Sequence, residues 1–261
     1  MDKYFARYER YDRAGVDALC RRSDIKGIVL GDLFCHRRMF QNGIAEFVLL
    51  LSQVLASDKT VIYQAPLYVT GRNLDEVKSI LALLHGSGKK TYVIVQDFGT
   101  AELVAREYGS IGLIWGQLGR VRERRYSGEF FAFLQHKQFV GMETGDVQLA
   151  QRMTAYGLTP FFTDAPLHYQ TLGRICYLEY QVGHCDPAAC HSGCYQLRAE
   201  NETYGMTIDG YMMGKEYRPV PQVDVDKTLK KKQKWLGSLN KSYYLCKLYS
   251  GRFFVQKSLR I

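Results

Sequence analysis

From Thr60 to Val95 the chain reads T-V-I-Y-Q, a loop carrying Pro66 and Gly71, N-L-D-E-V-K-S-I-L-A-L-L-H, G-S-G-K-K and T-Y-V-I-V. The two short β-branched runs have the length and composition of buried strands. Between them, Asn73 stands in the position of an N-cap and the residues to about His85 follow helical spacing. Two strands joined by one helix imply a parallel βαβ unit with a right-handed crossover.

The same alternation extends in both directions. Upstream, a polar, helix-like opening segment leads to a strand at Lys26-Gly-Ile-Val-Leu30, ended by Gly31-Asp32. Gly43 to Ala56 then places Ile44, Phe47, Val48, Leu51, Val54 and Leu55 on a helical face. Downstream, Asp97-Phe-Gly-Thr caps a helix through Glu107, and Ile111 to Trp115 is a strand. Arg122 to Gln135 reads as a helix, and Gln138 to Gly141 as a short strand ending at Met142-Glu143. A helix over Gly145 to Tyr156 and a sixth strand over Thr159 to Thr163 complete the series.

The expected fold is therefore α/β, an incomplete TIM-like (β/α) barrel of about six βα units. An open doubly wound sheet is the alternative. In either, functional groups collect at the C-terminal strand ends, where Cys35, Asp97, Glu143 and Asp164 fall by this count. The expected organisation is a barrel-like core over 1–165, a Cys-rich region over 166–220 and a basic, β-rich segment over 221–261. In that last segment Tyr243 to Tyr249 and Phe253 to Gln256, separated by Ser250-Gly251, make a hairpin candidate.

Composition narrows the class. The chain has 261 residues, of which 46% are hydrophobic and 23% charged, enough apolar material for a folded core. Its charged opening, M-D-K-Y-F-A-R-Y-E-R-Y-D-R, has no apolar h-region, and no apolar run reaches the roughly 20 residues of a membrane span. The expected location is the cytoplasm, with no membrane span. The formal charge of +9 invites a nucleic-acid reading. Much of the excess, however, lies between Lys227 and Arg260, where acids are absent. Such a run is most often a solvated surface or tail, and binding of RNA or an acidic partner is the other reading.

The most concentrated chemistry lies at R-I-C-Y-L-E-Y-Q-V-G-H-C-D-P-A-A-C-H-S-G-C-Y, Arg174 to Tyr195, which holds Cys176, Cys185, Cys190 and Cys194. In a reducing compartment such a cluster reads as metal-binding or redox-active rather than as a disulfide frame. Its spacing matches neither the paired C-x2-C of zinc ribbons nor the bacterial ferredoxin run. Cys176, Cys190 and Cys194 can supply three ligands, with a fourth from Cys35, Cys185 or a histidine. Spacing alone favours neither zinc nor iron–sulfur, and His184 and His191 would serve zinc.

Several stretches carry a family resemblance. V-L-G-D-L-F-C-H-R-R, Val29 to Arg38, resembles the Y-L-G-x-x-x-C-x-x-R-R segment of the UbiV-like branch of the collagenase-like peptidase family. That family also includes UbiU proteins and several RNA hydroxylation proteins. Asp97-Phe-Gly is similar to its S-D-x-G turn, and Met142-Glu143 to its strand-end glutamate. Pro166-Leu-His-Tyr followed by Gly173-Arg174-Ile-Cys176 resembles its P-L-x-Y-x-x-R-C, and Cys190 and Cys194 its later thiols.

The resemblance implies a 4Fe-4S cluster on Cys35, Cys176, Cys190 and Cys194, with zinc as the alternative metal, and selects Cys35 over Cys185 as the fourth ligand. It also implies an oxygen-independent hydroxylase or its accessory subunit, acting with a homologous UbiU-like partner on a quinone-precursor or RNA-type substrate. At the strand ends, Asp32, Arg37, Arg38, Asp97 and Glu143 are the candidates to orient a substrate. The arginines can hold a carboxylate or phosphate bidentately. Equally, Arg37 or Arg38 could pair with Asp32 or Glu143 to brace the barrel mouth. No Ser-His-Asp or H-E-x-x-H arrangement supports a peptidase, and no G-x-G-x-x-G supports a Rossmann-type dinucleotide site. A non-catalytic, metal-stapled scaffold with a basic binding tail is the competing expectation.

Overall fold

The computed structural model describes residues 4–8, 11–31, 39–40, 43–66, 69, 71, 73–116, 126–144, 146–163 and 243–248. They belong to one compact unit, Met1–Leu167 with Asp226–Ile261; the other unit, His168–Val225, lies outside the described residues. The strands are β1 (Tyr4–Tyr8), β2 (Ile25–Leu30), β3 (Thr60–Gln64), β4 (Thr91–Val95), β5 (Gly112–Trp115), β6 (Phe139–Thr144), β7 (Thr159–Thr163) and β8 (Tyr243–Leu248). The helices between them are α1 (Arg13–Cys20), α2 (Ile44–Ala56), α3 (Leu74–Gly86), α4 (Phe98–Glu107), α5 (Gly128–His136) and α6 (Val147–Ala155). Seven consecutive parallel strands curl into a sheet, and β8 pairs with both β7 and β1 to close the ring.

All six strands expected from sequence are present, together with two that were not counted as barrel strands. The opening segment is not simply helix-like: Tyr4–Tyr8 is a barrel strand and only then does α1 begin. The Tyr243 run is a strand, but not one arm of a hairpin, because both of its edges carry parallel neighbours. The core is thus an eight-stranded closed barrel rather than an incomplete one of six. The second hairpin arm at 253–256 and the Cys-rich region 166–220 lie outside the described residues.

Strand alternation divides the apolar residues into two layers. Ile28 and Leu30, Val61 and Tyr63, Val93 and Val95, and Leu113 and Trp115 face the helices. There they pack with Leu50, Leu51 and Val54 of α2, Ile80, Leu81 and Leu84 of α3, and Phe131 and Leu134 of α5. The residues between them point inward: Phe5, Val29, Ile62, Ile94, Ile114 and Phe161 form a separate buried cluster that plugs the barrel. An interior filled by layers of side chains is a packed core and not a pore.

Close approach decides where the inner layer uses glycine. The rings of Phe5 and Phe161 lie 6.4 Å apart inside the barrel. A Cβ at Gly27 would stand 2.6 Å from the Phe5 ring, and one at Gly141 2.7 Å from the Phe161 ring. Pairing small with large residues therefore makes room for both rings inside. Gly141 also marks an irregularity: Leu113 pairs with Phe139 but Ile114 with Gly141, so one residue of β6 is extra. That bulge places Phe139 and Met142 together on the outer face and turns Glu143 inward.

Four helices begin with a side-chain cap. Asp12 accepts from the Gly15 amide, Asp97 from that of Thr100, Ser127 from that of Phe130, and Asp146 from those of Gln148 and Leu149. Asn73 occupies the N-cap position of α3 but makes no side-chain cap bond.

Candidate functional site

Above the apolar plug, at the C-terminal ends of the strands, the inward positions change character. Arg7 on β1, Gln64 on β3 and Glu143 on β6 are all buried there. Arg7 donates through one terminal nitrogen to Glu143 Oε1 at 2.8 Å and through the other to Gln64 Oε1 at 3.0 Å. Gln64 Nε2 in turn donates to the Ala65 carbonyl at 3.2 Å. The ion pair is almost sealed, with side-chain exposures of 5% for Arg7 and 0% for Glu143. Charges at such depth persist only when paired and hydrogen-bonded, and this network meets both conditions.

Glycines shape the same layer. Gly31, which follows β2 at φ 123°, would place a Cβ 2.2 Å from the Gln64 carbonyl. At Gly116, just past β5, a Cβ would stand 2.3 Å from the amide nitrogen of the buried Gln96. Neither position tolerates a side chain without moving a glutamine of the mouth. The layer is therefore polar wherever it carries a described side chain, in contrast to the Phe, Val and Ile beneath it.

Of the residues proposed from sequence, two are described. Glu143 is brought into the mouth and takes Arg7 as an ion-pair partner. Asp97 follows β4 and acts as the N-cap of α4, with Oδ1 accepting from the Thr100 amide at 2.8 Å and Oδ2 from the Thr100 hydroxyl at 2.7 Å. Both of its oxygens are thus engaged in starting a helix. Asp32, Arg37 and Arg38, together with Cys35, Cys176, Cys190 and Cys194, lie outside the described residues. In sequence, Cys35 comes four residues after Gly31, at the end where β2 leaves the barrel.

Arg7, Gln64 and Gln96 were not singled out from sequence. A signal existed in Phe5-Ala-Arg7-Tyr, where period-two alternation puts Arg7 on the same face as Phe5. Cys20 provides a contrast. It closes α1, whose C-terminal end leads into the start of β2 and so lies at the opposite end of the barrel from the mouth. Burial pushes its thiol above the ordinary range, partly offset by a hydrogen bond with Ser57. A thiol held protonated is a poor metal ligand. Among the described residues, no group of three or more His, Cys, Asp or Glu side chains is placed to hold a metal ion, and no helix is long and apolar enough to cross a membrane. Comparisons with protein-family models, curated proteins and solved structures return no match to this chain.

Proposed function

We propose that this chain is an iron–sulfur protein of an oxygen-independent hydroxylation system. In this reading a TIM-like barrel carries a Cys-rich region over 166–220, and Cys35, Cys176, Cys190 and Cys194 hold a 4Fe-4S cluster. The single observation that supports it most is the parallel barrel with a polar, charged mouth at the strand ends from which Cys35 follows. Active sites of parallel α/β barrels are built at that end. The donor chemistry is compatible, since four thiolates are the usual ligand set of such a cluster. Once bound, the group would supply one-electron transfer at a potential tuned by hydrogen bonds and exposure. The chain's own residues would do the rest: Arg7, itself held by Gln64, fixes the Glu143 carboxylate, and the apolar plug keeps water from the barrel beneath it.

The substrate class carried by this reading is a quinone precursor or RNA, with a homologous UbiU-like subunit as partner. Anaerobic purification with iron and sulfide analysis and electron paramagnetic resonance tests it. Iron and sulfide in cluster stoichiometry, with a cluster signal on reduction, support it. A colourless protein with stoichiometric zinc overturns it.

One observation favours a second reading, a non-catalytic scaffold whose metal staples the Cys-rich region and whose basic tail binds RNA or an acidic protein. Arg7 donates to both Gln64 and Glu143, and a network of that kind braces a barrel as well as it serves a substrate. Cluster-containing protein that shows no redox turnover with any hydroxylation partner would favour this scaffold.

A further inference from the structure

We propose that the barrel mouth holds a subsite for the terminal anionic group of a small substrate, on the side where β8 meets β1. The subsite rests on two basic positions, Arg7 on β1 and Lys247 on β8. They are partners in the parallel β1–β8 ladder, as Phe5 and Leu245 are one layer below. Paired positions on neighbouring strands share one face of a sheet, and the face of Phe5 and Arg7 is the barrel interior. Lys247 therefore occupies an inward position beside Arg7, the two Cα atoms separated by about 4.8 Å, the spacing of adjacent strands.

Charge in this layer does not balance. Among the described inward residues at the strand ends, Glu143 is the one carboxylate, against Arg7 and Lys247. Arg7 already meets Glu143 at 2.8 Å, and no second acid among the described residues stands in the layer to match Lys247. Like charges at directly paired positions repel, and an anion between them removes that repulsion.

Arg7 also has donors to offer. Of the five N–H groups of a guanidinium, one bonds Gln64 and one Glu143, and the other three have no partner among the described residues. Gln64 is itself fixed by its bond to the Ala65 carbonyl, so the guanidinium is oriented before a ligand arrives. A carboxylate or a phosphate monoester has the clustered oxygens that a guanidinium and an ammonium hold in charge-assisted bonds. Depth selects a terminal group. The Arg7 side chain is 5% exposed, out of reach of a phosphodiester inside a polymer backbone. Of the two substrate classes in the proposed function, this favours the small quinone precursor over RNA.

The inference rests on the reading of the mouth as the substrate end, and its test keeps the two apart. Isothermal titration calorimetry of the intact, anaerobically purified protein uses benzoate, phenyl phosphate and the uncharged isostere benzamide, with iron measured on the same samples. Benzoate or phenyl phosphate binds, the stronger of the two identifies the group, and benzamide binds more weakly by about tenfold or more. Lys247→Met weakens anion binding by about tenfold, and Lys247→Arg stays near the parent affinity. Replacing Lys230, Lys231 and Lys232 with glutamine leaves binding unchanged, which separates the mouth from the basic tail. Equal binding of benzamide, unchanged affinity in Lys247→Met, or loss of binding in the triple variant overturns the proposal. The benzamide comparison and the triple variant keep it refutable where Lys247→Met fails to fold. Iron present with neither anion bound overturns this inference and leaves the cluster reading standing. Anion binding without iron supports the mouth subsite while the cluster reading fails.

Discussion

Arg7 and Glu143, 136 residues apart in sequence, meet at 2.8 Å inside the barrel and join its first strand to its sixth. Every layer below them is apolar, so the pair is the point where the interior stops being a hydrophobic core. Removing one partner strands a buried charge, at about 3–5 kcal/mol, whereas replacing both with apolar residues of similar volume is close to neutral. Arg7→Met and Glu143→Leu alone should each lower the unfolding free energy read from urea titration by that order, and the double variant should recover most of the loss. Single variants within about 1 kcal/mol of the parent, a difference typical of surface pairs, would show that the charges are not sealed.

Asp97 separates a helix cap from a substrate ligand. With both oxygens committed to Thr100, Asp97→Ala should cost about 1 kcal/mol, while Asp97→Asn, an equally good cap, should cost little. Thermal unfolding reads the difference. If Asp97→Asn unfolds at the parent temperature but abolishes substrate turnover, the carboxylate has a second task at the end of β4.

How much of this was legible in advance depended on where each strand buries its side chains. Lys26–Leu30, Thr60–Gln64 and Thr91–Val95 are covered on both faces, so they appear as β-branched runs that need no partner to be recognised. Tyr4–Tyr8 has no β-branched residue, lies in a charged segment and points its arginine inward, so polarity argued against a buried strand. Alternation with Phe5 hints at the inward position of Arg7, but its partners Gln64 and Glu143 lie 57 and 136 residues away, beyond any local pattern. The Ser250-Gly251 pair, which lies outside the described residues, suggested a hairpin, but local turn chemistry cannot report that both edges of Tyr243–Leu248 are already taken by parallel strands. Glu143 was recognisable as a strand-end acid, and the bulge that turns it inward was not.

Ligand choice is the sharpest test of the cluster. Cys35→Ala should lose iron as completely as Cys190→Ala, whereas Cys20→Ala and Cys185→Ala keep it. For Cys20 the reason is structural: its thiol sits at the other end of the barrel and burial favours the protonated form. Iron per chain after anaerobic purification decides the matter. Loss of iron in Cys185→Ala with retention in Cys35→Ala would overturn the ligand set.

Closure by β8 changes how the basic tail has to be tested. Deleting residues 227–261 removes the lysine run, but it also removes Tyr243–Leu248, the strand hydrogen-bonded to both β1 and β7. Two long strand edges would then be open, and open edges template association. The truncated chain should therefore form oligomers or aggregates and lose its cooperative unfolding transition, measured by light scattering and calorimetry. Loss of partner binding in that chain would say nothing about the lysines. Replacing Lys230, Lys231 and Lys232 with glutamine keeps the barrel intact and isolates their charge. If the truncated chain remains monomeric and melts at the parent temperature, β8 does not close the ring and the barrel stands on seven strands.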